Sequence, residues 1–189
     1  MRTLMAAVLL ACLPMMGANA KPKVKITTNL GAFTLQLEPE AAPKTVENFM
    51  GLVRKGFYNG TIFHRIAKYP AIVQGGGYTA PGRQRMTNAS VTNEGDLAKS
   101  KGLHNRRGTV AMAYSPGNPL GAKSQFFINV KDNLALDFKT KTMTGYGFCP
   151  FAKVVQGLEI VDKIAKAKTK PGQEIPVDAI TILKAEETN

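Results

Sequence analysis

The pattern that most constrains the fold is a series of short apolar runs with a two-residue period, interrupted by turns at irregular spacing. Residues 23–28 and 33–38 alternate in this way around a turn at 29–31, which predicts a β-hairpin with one buried face. Helical spacing occurs in only two stretches, 43–55 and 158–165. This order favours a mainly β (α+β) fold, a closed and largely antiparallel barrel capped by the two helices. Further strands are predicted at 61–66, 71–74, 109–114, 126–130, 151–155 and 179–183, with turns at 75–77 and 79–82.

The first twenty residues form a separate segment. Arg2 precedes an almost wholly apolar run at 5–16, and Ala18-Asn19-Ala20 is a small-polar-small triplet. These features are typical of a cleaved secretory signal peptide, with a lipoprotein site at Cys12 as the weaker alternative. The run is shorter than the ~20 apolar residues of a membrane span. We therefore expect residues 21–189 to be one exported domain, periplasmic or, as a second choice, secreted.

The chain offers few groups for metal or nucleophilic catalysis. It has two histidines and, beyond the leader, one cysteine, Cys149, which is too few for a zinc site or a disulfide. We expect neither metal nor cofactor, and we interpret Cys149 as a small buried core residue. The 25 basic and 13 acidic residues give a net charge of +12. Because these charges are dispersed and no recognition motif accompanies them, we expect no nucleic-acid partner.

Three motifs carry a resemblance to a known family. They are Phe63-His64-Arg65-Ile66, Gln74-Gly75-Gly76 and, from Ser124 to Val130, Ser-Gln-Phe-Phe-Ile-Asn-Val. With these motifs, residues 23–184 resemble the cyclophilin-type peptidyl-prolyl cis-trans isomerases, the exported bacterial members in particular. The resemblance implies an eight-stranded barrel closed by two helices. It also implies an enzyme that accelerates rotation of Xaa-Pro bonds in unfolded or folding exported proteins.

The resemblance also assigns roles to single residues. Arg65 matches the catalytic arginine, which donates a hydrogen bond to the prolyl nitrogen, and Gln74 and Gln125 match the glutamines that orient it and the substrate. Phe127 matches the floor of the proline pocket, whereas Phe126 should point to the opposite face of its strand, into the core. The remaining substrate-binding candidates are Phe63, Ile72, Ala113, Tyr114, Leu136 and Tyr146.

Two pocket positions depart from the family pattern. Ala71 and Ala135 stand where the family has aromatic side chains, and the segment between Arg65 and Gln74 is one residue longer than in many members. Tyr69 is our candidate for a replacement ring. Because the aromatic side chain at the place of Ala135 helps to hold cyclosporin in sensitive members, we expect weak cyclosporin binding.

The missing rings leave a second function open. A proline-peptide-binding chaperone module with little turnover would use the same groove. Retention of Arg65 together with both glutamines favours the enzyme, which we expect to be a monomer.

Overall fold

The first two strands form the hairpin that the alternation predicts. The computed structural model describes residues 20–80, 82–88, 90–115 and 117–188, so the predicted leader falls almost wholly outside the described residues. Strands β1 (Lys23–Thr28) and β2 (Gly31–Leu37) pair antiparallel, with Thr28 opposite Gly31 at the turn. The apolar residues of this alternation are buried and the lysines between them are not, which gives the hairpin one core face.

Eight antiparallel strands close into a barrel. The other strands are β3 (Thr61–Lys68), β4 (Ala71–Thr79), β5 (Arg83–Gln84), β6 (Thr109–Met112), β7 (Phe126–Asn129), β8 (Pro150–Gln156) and β9 (Ile180–Thr188). The barrel order is β3-β9-β1-β2-β8-β6-β7-β4, and pairing of β3 with β4 closes the ring. The two-residue strand β5 extends β4 outside the ring. The predicted closed antiparallel barrel is confirmed.

The predicted glycine turn is part of strand β4. Gly76 has φ +80°, and a Cβ at this position would lie 2.9 Å from ring atoms of Tyr58 and Phe126. A Cβ at Gly77 would lie 2.3 Å from Cγ of Gln125. Because glycine has no side chain and tolerates positive φ, β4 continues beneath these side chains where the sequence suggested a turn. The predicted end of the strand at Gln74 is therefore wrong.

Both predicted helices are present, together with a third. Helices α1 (Pro43–Arg54) and α3 (Leu158–Ala165) pack against the barrel, α1 on β9 and α3 on β2 and β4. Helix α2 (Gly95–Ser100) was not expected from the spacing, because it has six residues and buries only Gly95 and Ala98. The expectation of two helices is therefore corrected to three among the residues that the structure describes.

A residue from a distant segment holds the start of α1. The N-cap residue Ala42 has no side-chain acceptor. Instead, the buried Glu94 carboxylate accepts hydrogen bonds from the N–H groups of Lys44 (3.1 Å) and Thr45 (2.8 Å) and from the Thr45 hydroxyl (2.7 Å). These contacts satisfy unpaired N–H groups of the first turn and place a negative charge at the positive end of the helix dipole.

The barrel interior is the main hydrophobic core. It includes fully buried side chains of Ile26, Leu35 and Phe126 from three different strands. Cys149 is 3% exposed at this core, which confirms its interpretation as a buried core residue, and burial raises the pKa of its thiol to about 12. No helix within the described part of the chain is long and apolar enough to cross a membrane.

Candidate active site

A bulge in β3 turns Arg65 to the outer surface of the barrel. Phe63 lies opposite Gly75, and Arg65 lies opposite Gln74, the preceding residue of β4, so His64 is left without a partner residue on β4. The extra residue shifts the alternation of side chains by one position. Phe63 is consequently 1% exposed in the barrel core, whereas the Arg65 side chain is 38% exposed. This bulge corrects the assignment of Phe63 to the substrate groove.

Arg65 belongs to a chain of polar side chains on this surface. Its Nη1 donates to Oε1 of Gln74 (3.2 Å), and Nε2 of Gln74 donates to Oε1 of Gln125 (3.0 Å). The structure thus brings the three predicted polar residues together. A fourth residue, Glu174, accepts a hydrogen bond from Nε of Arg65 at 2.6 Å. Nothing in the sequence links Glu174 to this group, because it lies 109 residues further along the chain.

A packed cluster of apolar side chains, which we call the pocket after its predicted role, lies beside the polar chain on the same face. The cross-strand pair Ala67 and Ile72 follows the pair Arg65 and Gln74 by two residues. Side chains two residues apart on a strand share a face and lie about 7 Å apart along it, so the arginine borders the pocket. The buried pocket residues are Ala67, Ile72, Ala111, Ala113 and Phe127, with Leu136 and Phe148 partly buried against them.

Phe148 packs against two neighbouring aromatic rings. Its ring stacks on Tyr114, with 4.5 Å between centroids and 15° between planes. It also meets Phe127 edge to face, at 5.3 Å and 83°. Phe127 is 2% exposed and lies on the opposite face of β7 from the core residue Phe126, as the alternation predicts.

Tyr146 lies apart from the pocket. Its ring contacts Phe138, with 6.2 Å between centroids. The chain then turns at Gly147, which has φ +56° and where a Cβ would lie 2.4 Å from the carbonyl oxygen of Leu136. After this turn the Phe148 N–H donates to the same oxygen at 2.8 Å. The structure therefore replaces Tyr146 by Phe148 as the aromatic residue at the pocket.

The chain matches a known protein family over most of its length. The family model described as cyclophilin type peptidyl-prolyl cis-trans isomerase/CLD matches residues 23–187. The chain belongs to the cyclophilins. It is therefore a peptidyl-prolyl cis-trans isomerase of this type, as the relatives below are also named.

Curated relatives match this cyclophilin over most of its length. Peptidyl-prolyl cis-trans isomerase cyp18 of Streptomyces antibioticus is 43% identical over 165 residues, which cover 86% of this chain and 96% of the relative. Peptidyl-prolyl cis-trans isomerase A of Dickeya dadantii (strain 3937) is 42% identical, with 91% and 87% covered. A Cryptosporidium parvum cyclophilin crystallised in the presence of the dipeptide Ala-Pro has a TM-score of 0.66 and 27% identity, with 88% of this chain and 99% of that chain covered.

The positions of Tyr69 and Ala135 show how little aromatic surface replaces the missing rings of this cyclophilin. Tyr69 is 93% exposed at the turn between β3 and β4. Ala135 is exposed in a 3-10 turn (Leu134–Leu136) and adds little apolar surface to the rim. This exposure argues against the hypothesis that Tyr69 supplies the ring, whereas Phe148 packs on Phe127.

Hydrogen bonds from a buried asparagine hold both segments of the pocket rim. The Asp137 carboxylate, next to Leu136, accepts from the main-chain N–H (2.8 Å) and the side-chain Nδ2 (2.9 Å) of Asn105 and contacts Nδ1 of His104 (2.8 Å). Nδ2 of Asn105 also donates to the carbonyl oxygen of Phe148 at 3.0 Å. Because Asn105 is 0% exposed, it joins the two rim segments from the inside.

One of the two main-chain N–H groups beside the pocket is already hydrogen-bonded within the protein. The Ala113 N–H donates to the carbonyl oxygen of Gln125 at 2.9 Å. The Tyr114 main chain has no hydrogen bond to any residue that the structure describes. Of this pair, which the family resemblance assigns to pairing with substrate, only Tyr114 has a free main-chain N–H.

The His64 ring contacts an aromatic side chain and is neutral at pH 7. Its ring contacts Tyr78, with 4.6 Å between centroids, and its Nδ1 has no hydrogen-bond partner among the described residues. Burial lowers the pKa of His64 to about 4. The ring is therefore neutral at pH 7. Among the described residues no group of three or more His, Cys, Asp or Glu side chains is arranged to hold a metal ion.

Proposed function

We propose that this cyclophilin isomerises Xaa-Pro bonds of exported proteins, with Arg65 as the catalytic residue and the pocket around Phe127 as the proline site. The supporting observation is that a guanidinium held by Gln74 borders an apolar pocket on the same barrel face. Substrate-binding roles are proposed for Ile72, Gln74, Ala113, Tyr114, Gln125, Phe127, Leu136 and Phe148.

The chemistry follows from the electronic structure of the peptide bond. The barrier to rotation, ~18–20 kcal/mol, comes from delocalisation of the nitrogen lone pair into the carbonyl group. At the twisted transition state this lone pair is localised on the prolyl nitrogen. Arg65 is always charged and carries several N–H donors, so a hydrogen bond from it to that nitrogen stabilises the twisted state more than the planar one.

The rest of the site holds the substrate while the bond rotates. The apolar pocket fixes the proline ring, and the free main-chain groups of Tyr114 hold the extended chain beside it. Gln74 keeps the guanidinium in place and is itself held by Gln125. No covalent intermediate and no proton transfer are required, which agrees with a neutral His64.

The experiment compares wild type with Arg65→Ala in the cis-to-trans isomerisation of an Ala-Pro peptide. We expect kcat/KM to fall by about 100-fold or more, the size found when a main transition-state donor is removed. Arg54→Ala is the matched control, because Arg54 also donates through Nε to a glutamate, Glu187, but lies on α1 far from the pocket. Full activity of Arg65→Ala would contradict the proposal. If the wild type binds the peptide without accelerating isomerisation, the protein is a binding module.

Export is supported by the sequence alone. Residues 1–20 have the features of a signal peptide, and we propose that the mature protein begins at Lys21 and acts in the periplasm. N-terminal sequencing of the protein from a periplasmic fraction should find Lys21 as the first residue. Retention of an intact leader in the cytoplasmic fraction would contradict this location.

Two further properties are proposed. The protein is a monomer, and light scattering should give about the mass of a single mature chain. Because Ala135 adds no aromatic surface to the rim, we propose that cyclosporin binds weakly. Submicromolar inhibition would contradict this.

A further inference from the structure

A loop between α3 and β9 places a carboxylate against the proposed catalytic arginine. Within this loop Thr169 pairs with Pro176 in an antiparallel bridge, and the loop is tied to β3 by the N–H of Ile66, which donates to the carbonyl oxygen of Glu174 at 2.7 Å. Ile66 directly follows Arg65. The main chain of the loop, and not only the ion pair itself, therefore holds Glu174 beside the guanidinium.

The contacts of Arg65 use two different nitrogens. Oε2 of Glu174 accepts from Nε at 2.6 Å, and Oε1 of Gln74 accepts from Nη1 at 3.2 Å. The third nitrogen, Nη2, has no partner among the described residues. Acceptors on two nitrogens fix both the position and the plane of the group, which a single acceptor does not.

We propose that Glu174 is a positioning residue that orients Arg65 so that Nη2 is directed to the substrate. The inference rests on the proposed catalytic role of Arg65. A flexible arginine side chain has much conformational freedom to lose, and a charged acceptor holds it more strongly than the neutral amide of Gln74. Glu174 thus removes beforehand part of the entropy cost of aligning the donor with the prolyl nitrogen.

Solvent screening limits how much the Glu174 carboxylate contributes to kcat. The side chains of Arg65 and Glu174 are 38% and 44% exposed, so the ion pair is screened. We expect Glu174→Ala to lower kcat about two- to fivefold, the range typical of an exposed ion pair, with KM changed less than twofold. Glu174→Gln keeps an oxygen that accepts from Nε and should recover at least half of the lost activity.

The chain offers a closely matched control. Glu187 accepts from Nε of Arg54 at 2.5 Å, and its side chain is also 44% exposed. Glu187→Ala removes the same charge and the same kind of ion pair, but it lies on β9 away from the pocket. We expect its kcat to equal that of wild type, and the melting temperatures of the two alanine variants to fall by similar small amounts.

A spectroscopic measurement separates positioning from a general structural effect. The Arg65 Nε–H resonance in a proton–nitrogen spectrum, assigned by its disappearance in Arg65→Lys, should move upfield and broaden in Glu174→Ala while the resonances of pocket residues such as Phe127 stay in place. The inference is overturned if Glu174→Ala has wild-type or higher kcat, since a rise would mean that the carboxylate competes with substrate for Arg65. It is also overturned if the pocket resonances move as much as that of Arg65. If Arg65→Ala retains full activity, the proposed function itself fails, whatever Glu174 does.

Discussion

Truncation of Phe148 tests whether this residue supports substrate binding in a cyclophilin that has alanine at two positions where its family has aromatic residues. Because Ala71 and Ala135 add no aromatic surface, we expect Phe148, which packs on Phe127, to supply aromatic contact to the substrate. Phe148→Ala should therefore weaken substrate binding more than truncation of one of several rings would. The remaining pocket floor, including Phe127, stays in place.

The expected loss of binding free energy in Phe148→Ala follows from the apolar area that the substrate would no longer contact. A phenylalanine side chain can bury ~200 Å², and a proline ring resting on one edge of it covers about a third of that area. At ~25 cal/mol per Å² the loss is about 1.7 kcal/mol, or roughly a 15- to 20-fold fall in kcat/KM. The change should lie mainly in KM, because the hydrogen bonds of Arg65 are unchanged.

The assay is isomerisation of an Ala-Pro peptide over a range of concentrations, with thermal unfolding as a check of folding. Phe148 also packs on Tyr114, so the variant should lose about 1–2 kcal/mol of stability and remain folded. Phe138→Ala is the control, because Phe138 also makes an aromatic pair, with Tyr146, but away from the pocket. A kcat/KM for Phe148→Ala within twofold of wild type, or an equal fall in Phe138→Ala, would refute this account of the pocket.

Three other changes have defined outcomes. Glu94→Ala removes charged hydrogen bonds at the start of α1 and should lower the free energy of unfolding by about 3 kcal/mol, measured in urea, whereas the exposed control Glu40→Ala should have almost no effect. Tyr69→Ala should keep kcat/KM within twofold of wild type, because Tyr69 is 93% exposed; a larger loss would place its ring on the substrate. The pKa of His64 is lowered from 6.5 to about 4 in the folded state, so as pH falls through this range the unfolded chain takes up a proton first and stability falls. The slope of stability against pH between 6.5 and 4 should be smaller in His64→Gln, and an unchanged slope would contradict the burial of this ring.

Much of the fold was predictable because its signals are local. Pro43 and Gly56 bracket α1, and the predicted helix at 158–165 coincides with α3. The adjacent residues Phe126 and Phe127 lie on opposite faces of β7, as the two-residue period requires. Such features depend on neighbouring residues in one element, so the order of side chains along the chain is enough to determine them.

The same local argument failed where the chain departs from regular geometry. Phe63 and Arg65 are two residues apart and would share a face on a regular strand, but the bulge at His64 separates them. A bulge depends on how two strands pair, and neither strand shows it alone. Similarly, the chain turns at Gly147, where a side chain would strike the carbonyl oxygen of Leu136, so only glycine fits there. This turn brings Phe148 to the pocket.

Local patterns in the sequence were enough to predict most of the strands and the two main helices, and the family resemblance identified the polar group Arg65, Gln74 and Gln125. Three features came from contacts between distant segments: Phe148 packs on Phe127, Glu94 holds the start of α1, and Glu174 reaches Arg65 from 109 residues away. The physical reason is the range of the forces involved. Periodicity and turn chemistry act within a few residues, whereas hydrogen bonds between distant segments form only after barrel closure has brought those segments together.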